Sequence, residues 1–254
     1  MREINMKGKQ NILDEMNLDK ALRLAKKKES VQEIKEARSI YQDIVQKYPG
    51  NIKGRMGIKH LIDPPLAVSQ ALINLRRTGQ NRECIKRARS LLENYPSSVH
   101  LYNIFGLSNY ALKEYKTAIK GFKLALEINP NNDDILNNLG VTLTYNNDLE
   151  EAIEILNEAR KIKPDNLMTH INLGNALRNN GDIPAAIESF NSALEMEPEN
   201  ASIYYNIGVT LEISGDSQSA IENYKRAIKI KPNFVDAYNN LGLAFTQIGK
   251  MAQG

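Results

Sequence analysis

The chain contains no tryptophan and a single cysteine, Cys84. One thiol can make neither an intrachain disulfide nor a cysteine-based metal site. Every Leu/Ile/Val run is interrupted by polar residues. None approaches the ~20 apolar residues that cross a bilayer. Residues Met1 to Lys7 offer no apolar stretch ahead of a small-residue cleavage site, which argues against a signal peptide. These absences point to a cytoplasmic protein without a membrane partner. Blocks of five or more like charges are also missing. The basic spots Lys26-Lys27-Lys28 and Arg76-Arg77 therefore read as solvated helix surface. What remains is 254 residues of ordinary globular composition, 42% hydrophobic and 25% charged. Length alone allows one or two domains.

Proline is scarce, at 9 residues, but it is not scattered. Pro96, Pro130, Pro164, Pro198 and Pro232 fall at intervals of 34. Pro49 precedes Pro96 by 47, a surplus of 13 over that interval. A fixed period between about 20 and 50 residues signals a repeat architecture. Gly106, Gly140, Gly174, Gly208 and Gly242 keep the same period. So do Ala118, Ala152, Ala186 and Ala220, and again Ala125, Ala159, Ala193 and Ala227. Between the alanine series stand Phe122, Leu156, Phe190 and Tyr224.

One unit, 201–234, shows what is repeated. Tyr204, Ile207, Val209 and Leu211 suit one broad helical face. Ser214-Gly215-Asp216 breaks that helix, since glycine tolerates the left-handed conformation. A second helix from about Ser217 to Lys231 places Ala220, Tyr224, Ala227 and Ile228 on one side. Pro232 stops it, because proline cannot continue the hydrogen-bond ladder. Gly208, Ala220 and Ala227 are expected where helices approach closely, with Tyr224 filling the gap between repeats. One such hairpin cannot bury its own apolar face, so neighbours must stack into a solenoid.

The pattern resembles the tetratricopeptide repeat family. The resemblance rests on the 34-residue period, on Leu139-Gly140, Leu173-Gly174 and Leu241-Gly242, and on the spacing of Ala186, Phe190, Ala193 and Pro198. It covers 65–254, and more loosely 18–51 through Ala25, Ala37, Tyr41, Ile44 and Pro49. The family's large aromatic early in the first helix appears as Tyr102, Tyr204 and Tyr238, and is replaced by Leu136 and His170 between them. The resemblance implies an all-α, right-handed α-solenoid of stacked helix-turn-helix repeats. The units expected are a divergent repeat at 18–51 and an array at 65–98, 99–132, 133–166, 167–200 and 201–234, with an incomplete 235–254.

Three places depart from the register. Residues 1–17 are polar and carry no repeat signature, so an irregular N-terminal segment is expected. Residues 52–64 hold the 13-residue surplus and end on Asp63-Pro64-Pro65, where helical geometry is disfavoured. They read as a connector with a short helix, or as a degenerate extra repeat. In the last unit a first helix through Gln247 and a turn at Gly249 are expected. Leu241, Ala244 and Phe245 would share a partly uncovered face, open to self-association or to a covering partner. Charge is also uneven. Residues 1–98 carry a net +9 and residues 99–254 a net −6, giving the whole-chain +3.

A catalytic constellation is absent from the sequence. There is no phosphate loop, dinucleotide fingerprint, nucleophile elbow or paired-histidine zinc helix. His60, His100 and His170 fall in separate units or in the connector. Cys84 takes the place of Ala118 and Ala152 and reads as a small buried hydrophobe. Asn200-Ala201-Ser202 fits a glycosylation sequon but lacks a secretion context. Nucleic-acid modules are missing as well. The expectation is a non-enzymatic chain without cofactor, metal or nucleic-acid partner.

What is present is a recurring amide. Asn138, Asn172, Asn206 and Asn240 each stand two residues before a repeated glycine, where the first of the series has Ile104. Asn is a mediocre helix former, so its repetition inside helices calls for a reason. A carboxamide offers both donor and acceptor and can clasp a peptide group without reading side chains. Asn103, Asn137, Asn175 and Asn239 add amides to the same helices, and Tyr110, Tyr145 and Tyr205 add aromatic rings. The expected function is a protein-interaction module that binds an extended polypeptide in the concave groove of the superhelix. The ladder resembles the repeat arm of the O-linked N-acetylglucosamine transferases, with only Asn138, Asn172, Asn206 and Asn240 matching. That resemblance implies the alternative of a substrate-recruiting arm of a larger enzyme, such as a glycosyltransferase or sulfotransferase. Family members that clamp a C-terminal carboxylate use lysines where this chain has Asn103, Asn137, Ile171 and Tyr205, so carboxylate clamping is not implied.

Overall fold

A computed structural model describes residues 11–251. Residues 1–10 of the expected N-terminal segment and 252–254 of the incomplete last unit lie outside the described residues. Among the described residues the protein is all helical, with fourteen α-helices and no strand. It divides into two compact units, 1–108 and 109–254.

The first unit opens with a single 3-10 turn, Ile12–Asp14, which seats Leu13 in the core. Five helices follow: α1 (Leu18–Ser30), α2 (Ile34–Lys47), α3 (Ile52–His60), α4 (Leu66–Arg77) and α5 (Asn81–Asn94). The division between units falls inside α6 (Val99–Ala111). α1 packs on α2, and α4 on α5, as hairpins. Residues 52–60 of the surplus segment form α3, a nine-residue helix laid on α2. Its closeness to α2 depends on Gly57, where an added Cβ would lie 2.4 Å from the Tyr41 ring. Arg38 of α2 donates to the carbonyls of Leu61 and Asn94, tying α2 to the chain after α3 and to the end of α5. Cys84 is fully buried, donating to the Leu72 carbonyl and accepting from the Ser108 hydroxyl, as befits a small core residue.

The second unit continues with α7 (Tyr115–Ile128), α8 (Asp133–Asn146), α9 (Leu149–Ile162), α10 (Leu167–Asn179), α11 (Ile183–Met196), α12 (Ala201–Ile213), α13 (Ser217–Ile230) and α14 (Val235–Met251). α8 pairs with α9, α10 with α11 and α12 with α13, and each hairpin stacks on the next. Local chemistry recurs with the period. Asn132, Asn166 and Asn200 cap the starts of α8, α10 and α12 by accepting from backbone N–H groups. The turn inside each hairpin needs one left-handed residue, supplied by Gly181 (φ +85°) and Gly215 (φ +86°). Asn147 fills the same place at φ +67° and Lys113 at φ +60°. Gly249 stands in this register but takes no turn, and α14 runs through it to Met251. Glycine permits a left-handed turn without requiring one, so the helix can continue through Gly249.

The glycine period has a packing cause. A Cβ on Gly140 would lie 2.5 Å from Leu156, one on Gly174 2.6 Å from Phe190, and one on Gly208 2.6 Å from Tyr224. Each partner is fully buried and stands sixteen residues later, on the second helix of the same hairpin. The large residue therefore locks the two helices of one repeat together, where the sequence suggested a filler between repeats. Gly242 is the exception, with nothing within 4 Å of its place. On α14, Ala244 is buried against Ala220 and Tyr224, and Leu241 is partly covered. The exposed large apolar residues there include Val235 (66%), Tyr238 (51%), Leu243 (64%) and Phe245 (50%).

Candidate functional site

The first helices of successive repeats, α8, α10 and α12, lie side by side in the second unit. Across them opens a cleft of about 340 Å³. α10 supplies Asn172, Asn175, Arg178 and Asn179, which share one face because they fall three, six and seven residues along the helix. α12 supplies Asn206, α8 supplies Val141, Thr144 and Tyr145, and Tyr110 closes one side.

The amides fall into distinct roles. Asn206 Oδ1 and Nδ2 make no hydrogen bond among the described residues, and Asn175 Oδ1 is buried without a partner. Asn172 reaches Asn137 Oδ1 at 3.4 Å, a long and weak contact. Asn137 itself is buried and donates to the Asp133 carbonyl (2.9 Å) and to Thr169 Oγ1 (2.7 Å), bridging α8 and α10. Asn240 donates to the Tyr205 hydroxyl at 3.2 Å, and Asn138 is half-buried with a partner inside the protein. Asn103 belongs to the first unit, also with an internal partner. The structure thus brings Asn172, Asn175 and Asn206 together at the cleft. Asn137, Asn138, Asn240 and Asn103 are placed outside its lining.

The aromatic residues divide in the same way. Tyr110 meets Tyr145 edge-on with ring centroids 5.6 Å apart, and Tyr115 stacks on Tyr145 at 5.9 Å. Tyr145 is exposed and Tyr110 half-buried at the cleft. Tyr205 instead packs between Tyr224 and Phe234. His170 is buried, with Nε2 donating to the Pro164 carbonyl at 2.8 Å, a packing role. Arg178 and Asn179 were not among the residues singled out from the sequence. Their signal was available, since they continue the face begun by Asn172 and Asn175.

Burial, with the neighbouring Tyr145 and Tyr115 hydroxyls, pushes the Tyr110 phenol up to about 12. Burial and the Glu29 carboxylate do the same for Tyr41, also to about 12. A raised phenol pKa means that folding favours the neutral form, so the stabilisation is complete below the ordinary value of 10 and is lost as pH rises toward 12. Phenolate absorbance should therefore show these tyrosines titrating well after the exposed ones, with unfolding setting in over the same window. A single transition near pH 10 for all 11 tyrosines would contradict the packing described.

Among the described residues no group of three or more His, Cys, Asp or Glu could hold a metal ion. No described helix is long and apolar enough to cross a membrane.

Comparison with known proteins agrees with the repeat fold. A family model described as a TPR repeat matches residues 174–212 and 213–249, and one described as a tetratricopeptide repeat matches 110–171. Together they cover more than half of the chain. The chain belongs to the tetratricopeptide repeat family. This TPR protein has no match among curated proteins. Among solved structures it is similar to YrrB, described as a TPR protein with an unusual peptide-binding site. The identity is 21% and the TM-score 0.57, over 78% of this chain and 96% of that one. It is similar to MamA at 30% identity and a TM-score of 0.51, over 57% and 84% of the two chains. A MamA fragment, 41-end, from Desulfovibrio magneticus RS-1 matches at 17% identity and a TM-score of 0.61, over 66% and 95%.

Proposed function

We propose that this TPR protein is a protein-interaction module that binds an extended polypeptide along the first helices of its second unit, reading chiefly the backbone. The observation that carries this reading is the cleft where Asn172, Asn175 and Asn206 converge with amide atoms left unused by the fold. A buried polar atom without a partner costs roughly 1–3 kcal/mol. Asn175 Oδ1 is such an atom, while the part-exposed Asn172 and Asn206 side chains remain free to bond a ligand. Carboxamides both donate and accept, which matches the alternating N–H and C=O of an extended chain. The lining is more polar than apolar, which suits a peptide backbone better than an aliphatic ligand. YrrB, built on the same fold, is described as having a peptide-binding site, which is in keeping with this use of the scaffold.

Backbone reading has a specific test. A peptide retained from a random pool by the protein is resynthesised in two series, one with single backbone N-methyl groups and one with single alanine replacements. N-methylation at positions seated in the cleft should weaken binding about tenfold or more, since each removes a donor and adds bulk. Most alanine replacements should leave binding within a few fold. The reverse pattern, sensitivity to side chains and tolerance of N-methylation, would overturn the reading.

A further inference from the structure

We infer that Arg178 makes this groove selective for an extended segment carrying an aspartate or glutamate side chain. The inference rests on the peptide-groove reading and adds a chemical class to its ligand. Arg178 is half-buried at the cleft and carries the single formal charge among the lining residues. No carboxylate pairs with it among the described residues, although six ion pairs form elsewhere. Burial is the main influence on its guanidinium, lowering its pKa, and the only groups that offset it are the Tyr205, Tyr145 and Tyr224 hydroxyls rather than a carboxylate. A desolvated cation without a counter-charge is costly, and the fold supplies none.

The neighbours fit the same ligand. A guanidinium presents five donors in a planar fork and no acceptor, the geometry that grips a carboxylate through two parallel hydrogen bonds. Asn172 and Asn175 stand before Arg178 on α10, and Asn206 lies across from it on α12. Asn172 and Asn206 hold the same register in adjacent repeats, so a chain seated on them would run past Arg178, which stands further along α10. An acidic side chain branching from that segment would reach the guanidinium. The expected discrimination is against the neutral isostere: glutamate over glutamine by about tenfold or more, as for hydrogen bonds to charged groups.

The test uses three random decapeptide pools and the full chain. The first pool is acetylated and amidated with a fixed central glutamate. The second is identical with glutamine. The third has the central glutamine and a free C-terminal carboxylate. Wild type should retain the glutamate pool about tenfold better than either other pool. Arg178→Gln should retain all three equally, with its melting temperature showing that it is folded. Arg178→Lys should keep a reduced preference for glutamate. Equal retention of the first two pools by wild type would overturn the inference while leaving the groove intact. Persistence of the preference in folded Arg178→Gln would do the same. Preference for the third pool would assign the arginine to a chain end and overturn it too. Failure of wild type to retain any pool would overturn the groove reading along with it.

Discussion

Gly174→Leu should cost about 3 kcal/mol or more and lower the melting temperature by roughly 6 °C or more, from overpacking alone. The cause is the Phe190 ring, three of whose carbons would lie 2.6–2.8 Å from a Cβ at Gly174. Phe190 is fully buried and has no room to retreat. Even Gly174→Ala should destabilise by about 1–3 kcal/mol, although alanine is the better helix former. The matching change one repeat-pair further on should do the opposite. Gly242 occupies the same repeat position with nothing within 4 Å, so Gly242→Ala should keep or raise stability, by up to about 1 kcal/mol of helix propensity. Thermal melts followed by circular dichroism would check both. Equal effects at the two glycines would show that the period does not mark a hairpin contact.

The repeat period made the fold legible because each recurring residue does a local job that only a few side chains can do. Proline ends a helix, glycine admits a bulky partner, and asparagine or aspartate caps the next start. These constraints act within one hairpin, so one unit stands for the rest. Tyr224 was legible as a large buried residue, yet its partner was not. The period shows that Gly208 and Tyr224 belong to one unit, but not which helix face meets which. Gly249 shows the other limit. Its place in the register marks where a left-handed turn is allowed, but glycine allows a turn without imposing one, and α14 runs straight through it.

The site was legible in part for a related reason. Asn138, Asn172, Asn206 and Asn240 share a register, and register fixes a helix face. It does not fix what lies opposite. Thr169 and Asn172 stand beside Asn137, and the Tyr205 hydroxyl stands beside Asn240, so those amides serve contacts between neighbouring helices. Asn172 and Asn206 face the cleft. Arg178 escaped notice because it occurs once, and a search for recurrence passes over a residue whose importance comes from being different in one repeat.

The largest effect expected on binding follows from the amides that face the cleft. Replacing Asn172 and Asn206 by alanine removes two donor–acceptor groups at a net ~0.5–1.5 kcal/mol for each hydrogen bond lost. With more than one bond to each carboxamide, a loss of tenfold to a hundredfold in affinity is expected. The fold should hardly notice, since Asn206 serves the fold through its backbone carbonyl, which accepts from Thr210 Oγ1, and the Asn172 side chain makes one long contact. Alanine is also the better helix former. Adding Asn138→Ala tests a ladder residue that already has a partner inside the protein, and it should add less. The most direct test is calorimetric titration of one pool-selected peptide into wild type and into the Asn172→Ala, Asn206→Ala protein, with melting curves recorded for both. Binding weakened at least tenfold at an unchanged melting temperature is the expected result. Unchanged affinity in the folded double variant would contradict the groove, and so would a loss of binding that merely tracks unfolding.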